Sequence, residues 1–171
     1  MIWYRISQFW RQITAGSLPP SAWQEIEAVL SPPERELFRR FALGDRWHGY
    51  RVMCTLREAG HTDPDLWVAA LLHDVGKTRV RFTAVDRSLE AVCRKLMPGR
   101  VQQWEQGQPT GWQRPFVVRA RHPAWSAEMA QAAGSSPTAV SLIRRHQDPL
   151  PQPTSHEDHL LQLLQWADDQ N

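Results

Sequence analysis

The chain has 171 residues, 42% hydrophobic and 22% charged, enough apolar content for one domain with a real core and too much for a disordered segment. Twenty basic against eighteen acidic residues leave a formal charge of +2, which excludes the broad basic footprint of a dedicated duplex-nucleic-acid binder. The longest uninterrupted apolar run, Leu66 to Leu72, falls far short of the roughly 20 residues a membrane-spanning helix needs.

Ile2, Trp3, Ile6, Phe9, Trp10 and Ile13 recur at spacings of three and four, which predicts an amphipathic helix stopping near Gly16 and Pro19. Ser21 with Gln24, and Ser31 with Pro32 and Glu34, read as capping signatures that start helices near 22–30 and 32–43. Asp45 is the expected cap of a helix presenting Val52, Met53, Leu56 and Ala59, with Gly60 at its end. Asp63-Pro64 opens the next helix, the Leu66–Leu72 run, which ends around Gly76. Helical patterns continue over 82–97 and from Pro98 to Gln106, followed by a Gly/Pro-rich break at 107–115. Further helices fit 114–121, 123–133, 137–146 and 155–168, the last with Thr154 and Glu157 as a capping box. No useful strand-like alternation, repeat or low-complexity tract interrupts them, so the fold class is all-α.

The N-terminus has Arg5 and Ser7 within its first seven residues and no apolar stretch of the kind an export signal carries. Cys54 and Cys93, the only two cysteines, lack CxxC spacing. A cytoplasmic protein with reduced thiols is therefore the expectation.

The polar residues carry the functional signal. His48 lies four before Val52, His73 four after Ala69, His146 four after Leu142, and Asp168 four after Leu164. Each falls on or beside the apolar face of its own helix. A single inward histidine is ordinarily a satisfied core residue. Three of them with a carboxylate, from four helices, converge on one interior, where unpaired Asp168 and Asp74 would be costly. Arginine partners would serve, and so would a divalent metal held by imidazole and carboxylate together. Pro123 biases His122 away from helical geometry and places it at a helix entrance.

His48, then His73-Asp74 in the context Ala-Ala-Leu-Leu-His-Asp-Val-Gly-Lys, and a terminal Ala167-Asp168 resemble the HD-domain metal-dependent phosphohydrolase superfamily over about 45–168. The resemblance implies an HD-like helical bundle over 44–171, with 1–43 as an N-terminal helical extension packed on the core. It implies His48, His73, Asp74 and Asp168 as ligands of a first metal. His122 and His146 match the two further histidines of members with binuclear centres, which makes Asp74 the bridge. Two divalent ions would share a water, lower its pKa and clamp a phosphoryl group. Mixed histidine and carboxylate ligation favours manganese or iron, with nickel, cobalt, zinc or magnesium as the other candidates.

Asp74 and Lys77 are the implied catalytic pair, Lys77 holding a phosphate oxygen or the bridging carboxylate at the edge of the site. Arg51, Arg121 and Arg145 are the further candidates for substrate phosphates, although each is as readily an ordinary surface cation. Trp47, Trp125 and Trp166, close in sequence to the ligands, suggest an aromatic wall for a base, with plain packing as the competing role. His61, His156 and His159 read as surface residues.

Cyclic-di-GMP hydrolases of the HD-GYP type carry His-His-Glu where this chain has Arg145-His146-Gln147, and alarmone hydrolases carry Glu-Asp where it has Lys77-Thr78. The resemblance is instead to short standalone HD proteins, including HD-type diadenosine tetraphosphate hydrolases. It implies hydrolysis of a phosphoester or phosphoanhydride of a nucleotide or related small phosphate. The rival is a non-catalytic HD module that binds metal or nucleotide for signalling.

Overall fold

A computed structural model describes residues 16–80 and 83–171; the helix expected at the N-terminus lies almost wholly outside them. Among the described residues nine α-helices and two 3₁₀ segments account for the regular structure, and no strand occurs. The helices are α1 (Pro20–Val29), α2 (Pro32–Arg39), α3 (Leu43–Glu58), α4 (Pro64–Leu72), α5 (Ala84–Leu96), α6 (Pro98–Trp104), α7 (Arg114–Ala132), α8 (Pro137–Arg145) and α9 (His156–Gln170). The 3₁₀ segments are Val75–Arg79, directly after α4, and Gly111–Gln113. The all-α expectation is met, and none of the described helices is long and apolar enough to cross a membrane.

Helix starts follow local chemistry. Asp63 caps α4 by accepting from the amides of Asp65 and Leu66 at 2.9 and 3.1 Å, and Pro64 supplies the preset φ of the first turn. At α2 both the amide and the hydroxyl of Ser31 donate to Glu34, at 2.8 and 2.7 Å. Glu34 also accepts from Ser135 Oγ at 2.6 Å, which ties α2 to the turn between α7 and α8.

Five expectations about helix bounds and caps change. α1 starts at Pro20, behind Pro19, without a Ser21 cap. α2 stops at Arg39, and α3 starts at Leu43 with Ala42 at its N-cap. Asp45 lies in the first turn of α3, where both carboxylate oxygens accept from Arg87 of α5 at 2.8 and 2.9 Å. A two-point contact with a guanidinium outcompetes one with a backbone amide. At α9 the cap is Ser155, which accepts from the Asp158 amide, while Glu157 turns away to Ser141 and Arg145. The largest change is in α7, which runs unbroken through Pro123, so His122 lies inside a helix and not at its entrance.

α4 is the axis of the core. All but its first two helical residues and Trp67 are buried, and α1, α2, α3, α8 and α9 pack around it. Ile26 and Phe38, from α1 and α2, join the same apolar core as Met53, Leu56, Leu71, Leu142 and Leu161. Two glycines let backbones approach closely. A Cβ on Gly49 would sit 3.0 Å from the Leu71 carbonyl, so α3 lies directly against α4, beside His48 and His73. A Cβ on Gly76 would fall 2.4 Å from the His122 carbonyl and 2.7 Å from the Ser126 amide. The 3₁₀ segment therefore presses on α7 at the turn that carries His122, where Gly76 N donates to Ser126 Oγ at 2.8 Å.

Candidate metal centre

Helix ends deliver the side chains. α4 terminates at Leu72, so His73 is its C-cap and Asp74 starts the 3₁₀ segment. α8 terminates at Arg145 with His146 as its C-cap. His48 comes from the second turn of α3, His122 from the middle of α7 and Asp168 from the last turn of α9. All six residues proposed from the sequence are brought together. His73, Asp74, His122 and His146 are buried, and His48 and Asp168 are half-buried.

Two groups form, each with candidate ligand atoms lying within 4.8 Å of one another: His48, His73 and Asp74, and Asp74, His122 and His146. Asp74 belongs to both. Its Oδ1 is 3.2 Å from His122 Nε2 and 3.9 Å from His146 Nε2, and its Oδ2 is 3.7 Å from His73 Nε2. Asp168 Oδ1 adjoins the two histidines of the first group, 2.9 Å from His48 Nε2 and 3.6 Å from His73 Nε2.

Three imidazoles are fixed by their other nitrogen. His73 Nδ1 donates to the Ala70 carbonyl at 3.0 Å, His146 Nδ1 to Ile143 at 2.7 Å, and His122 Nδ1 to Arg119 at 2.8 Å. A carbonyl only accepts, so each Nδ1 carries a proton and Nε2 is the nitrogen turned to the centre. Metal-ligating histidines are oriented in this way.

Burial pushes His122 below its ordinary pKa, and Lys77 adds to the effect. Burial and the charge of His73 drive His146 down to about 3. His122 Nε2 and His146 Nε2 lie 3.3 Å apart, and both face Asp74 Oδ1. Burial also works against His73, but the charges of Asp74 and then Asp168 outweigh it and hold the group up at about 9. Burial opposes ionisation of Asp74, yet Lys77 and His73 keep it well below the usual carboxylate range. Asp168 is lowered against its own burial by His73 and His48. His73 Nε2 is itself buried without a hydrogen-bond partner. Buried imidazole and carboxylate groups that converge on one point fit a divalent cation.

Lys77 Nζ lies 2.5 Å from Asp74 Oδ2, one turn along the 3₁₀ segment. Arg51 is half-buried one turn beyond His48. Arg145 is engaged by Glu157 and Asp158 of α9 at 2.9 and 2.6 Å, and Arg121 donates to the Gly107 carbonyl at 3.3 Å. The tryptophans do not form a wall. Trp47 Nε1 donates to the Gly16 carbonyl, Trp125 lies under Arg79, and Trp166 lines a separate pocket with Ala59 and His61.

Two polar residues missed in the sequence border the centre. Arg119 and Gln147 line a cleft of about 360 Å³ together with His146, Asp168 and Asp169. The Gln147 amide is 3.2 Å from His122 Nε2. Arg119 is three before His122, a helical neighbour, and that spacing was the available signal.

A family model described as HD domain matches residues 47–169. No curated protein and no solved structure matches the chain.

Proposed function

The chain belongs to the HD domain family, and from that premise we propose that it is a metal-dependent phosphohydrolase acting on a phosphoester or phosphoanhydride of a nucleotide or related small phosphate. His48, His73, Asp74 and Asp168 would hold one divalent ion, and Asp74, His122 and His146 a second. Bound there, such ions supply an acidified water and a positive clamp for a phosphoryl group. The observation that carries this reading is the sharing of Asp74 by two ligand groups on opposite sides of one carboxylate.

The chain's own residues do the rest. The carbonyls of Ala70, Arg119 and Ile143 hold three imidazoles in the tautomer that presents Nε2. Lys77 orients Asp74 Oδ2 and places a cation at the margin of the centre. Arg119 places a cation in the cleft beside His146 and Asp168, which Asp148 and Asp169 also line. With Arg121 and Arg145 occupied by other groups, Lys77 and Arg119 are the cations we assign to substrate phosphate, with Arg51 behind them. Helices α1 and α2 act as the support of this domain, closing the core beneath α3 and α4.

The test is release of phosphate from p-nitrophenyl phosphate and a nucleotide panel by manganese-loaded protein. Asp74→Ala is expected to lower the rate about 10³-fold, the equivalent of the several kcal/mol such ions contribute. Undiminished release in that variant would remove the hydrolase reading. Nucleotide binding without turnover in the wild type would favour a signalling module.

A further inference from the structure

His73 and His146 each find a free carbonyl because each caps a helix. The last four carbonyls of a helix lack an intrahelical donor, and Ala70 and Ile143 are among those of α4 and α8. His122 has no such advantage, since it lies ten residues before the end of α7. In an uninterrupted helix the carbonyl of Arg119 would be occupied by the amide N–H of residue 123. Residue 123 is proline, which has no N–H to give.

We propose that Pro123 is a positioning residue of the centre: by deleting one helical hydrogen bond it leaves the Arg119 carbonyl to His122 Nδ1, and so turns His122 Nε2 to Asp74. The same ring shows the difference. His122 Nδ1 also approaches the Val118 carbonyl, which is the helical acceptor of the His122 amide, and that distance is 3.1 Å against 2.8 Å to Arg119. The exchange accounts for a helix that continues through a buried proline, because the side chain of residue 122 replaces the donor that residue 123 lacks. Gly76, seated against the His122 carbonyl and the Ser126 amide, holds the backbone of this turn in place. The geometry stands independently of what binds at the centre; the consequence for metal affinity rests on the metal-holding reading above.

The decisive comparison uses the full chain with residue 123 as proline, as alanine (Pro123→Ala), and as the α-hydroxy analogue of alanine. The third form joins residues 122 and 123 by an ester and lacks both the ring and the N–H. Long-range ¹⁵N–¹H correlation on histidine-labelled, metal-free protein reads the tautomer of His122. The wild type is expected to be the Nδ1–H form. Pro123→Ala is expected to move it toward Nε2–H and to weaken manganese binding by about tenfold or more, the usual effect of losing an outer hydrogen-bond partner of a ligand. The ester is expected to restore both, although it shares alanine's side chain. An unchanged tautomer with manganese affinity within twofold in Pro123→Ala would overturn the proposal. So would an ester form as impaired as alanine, since packing of the ring would then be the cause. A wild-type chain that binds no manganese would remove the metal reading, and the tautomer comparison would decide the proposal alone.

Discussion

The two halves of the molecule are held by different forces. Around α4 the core is apolar and continuous, with Leu66, Leu71, Leu72, Leu142, Ile143 and Leu161 fully buried. Beneath α5 and α6 the apolar cluster contains, among the described residues, Cys93, Val101 and Phe116, with Trp104 packed against it. α5 is instead fastened by charge: Asp86 to Arg114 of α7 at 2.8 Å, Arg87 to Asp45 of α3 at 2.8 Å, and Glu90 through Arg94 to Glu105. Its outer face leaves Val85, Leu89, Val92 and Leu96 exposed. Five of the six proposed ligands come from elements of the first region, and His122 comes from α7, which reaches both regions. A centre that needs imidazoles set to tenths of an ångström is built where packing leaves side chains no alternative position. The second region is held instead by largely buried carboxylates paired with partly exposed arginines.

Leu71→Ala is expected to lower global stability by about 2–5 kcal/mol, the range for a buried leucine in a core that cannot collapse, read as a shift in denaturant midpoint with an unchanged slope. A smaller loss would mean that the packing around α4 is looser than its burial implies. Gly76→Ala is expected to cost about 1–3 kcal/mol, because the new methyl meets backbone and not a movable side chain. It is also expected to reduce manganese binding, by pushing the 3₁₀ segment off the turn of His122. Full stability in this variant would show that the two segments are not in the contact described.

In the second region Asp86→Asn is expected to cost about 1 kcal/mol, as partly exposed ion pairs do. Amide hydrogen exchange would rise in α5 and stay unchanged in α4. The same helix is expected to loosen in acid. Burial works against ionisation of Asp86, but Arg114 and Thr83 lower its pKa below the ordinary value. A depressed folded-state pKa contributes stability that is complete above the unfolded value of about 3.9 and lost as pH falls through the folded one. The part of the α5 exchange increase that belongs to this pair would appear below about pH 4 and be absent from Asp86→Asn. The smallest effect is expected of Leu96→Ala on the exposed face, within about 0.5 kcal/mol. A larger loss would place a partner on that face.

The histidines were legible in the sequence because their reading needs only helical period. His48, His73, His146 and Asp168 each follow or precede an apolar residue by four, and that period survives even where the cap differs from the one expected, at α3 and α9. Pro123 defeated the same approach. Its restriction on the preceding residue is a tendency of isolated chain, and here a side-chain donor offsets the lost hydrogen bond and the helix continues. The choice among arginines was illegible for another reason. Eighteen arginines look alike in a sequence, and only the fold shows Glu157 and Asp158 of α9 taking Arg145 while Arg119 faces the cleft. The carbonyls that fix the imidazoles are legible only once the helix ends are known, since every residue has a carbonyl and only its place in the helix shows whether it is free.

The sharing of Asp74 is tested most directly by metal stoichiometry. Wild-type protein loaded with manganese and freed of excess is expected to hold two ions per chain by elemental analysis, His122→Ala one, and Asp74→Ala fewer than one. One ion per chain in the wild type, unchanged in His122→Ala, would contradict a centre built on both sides of one carboxylate.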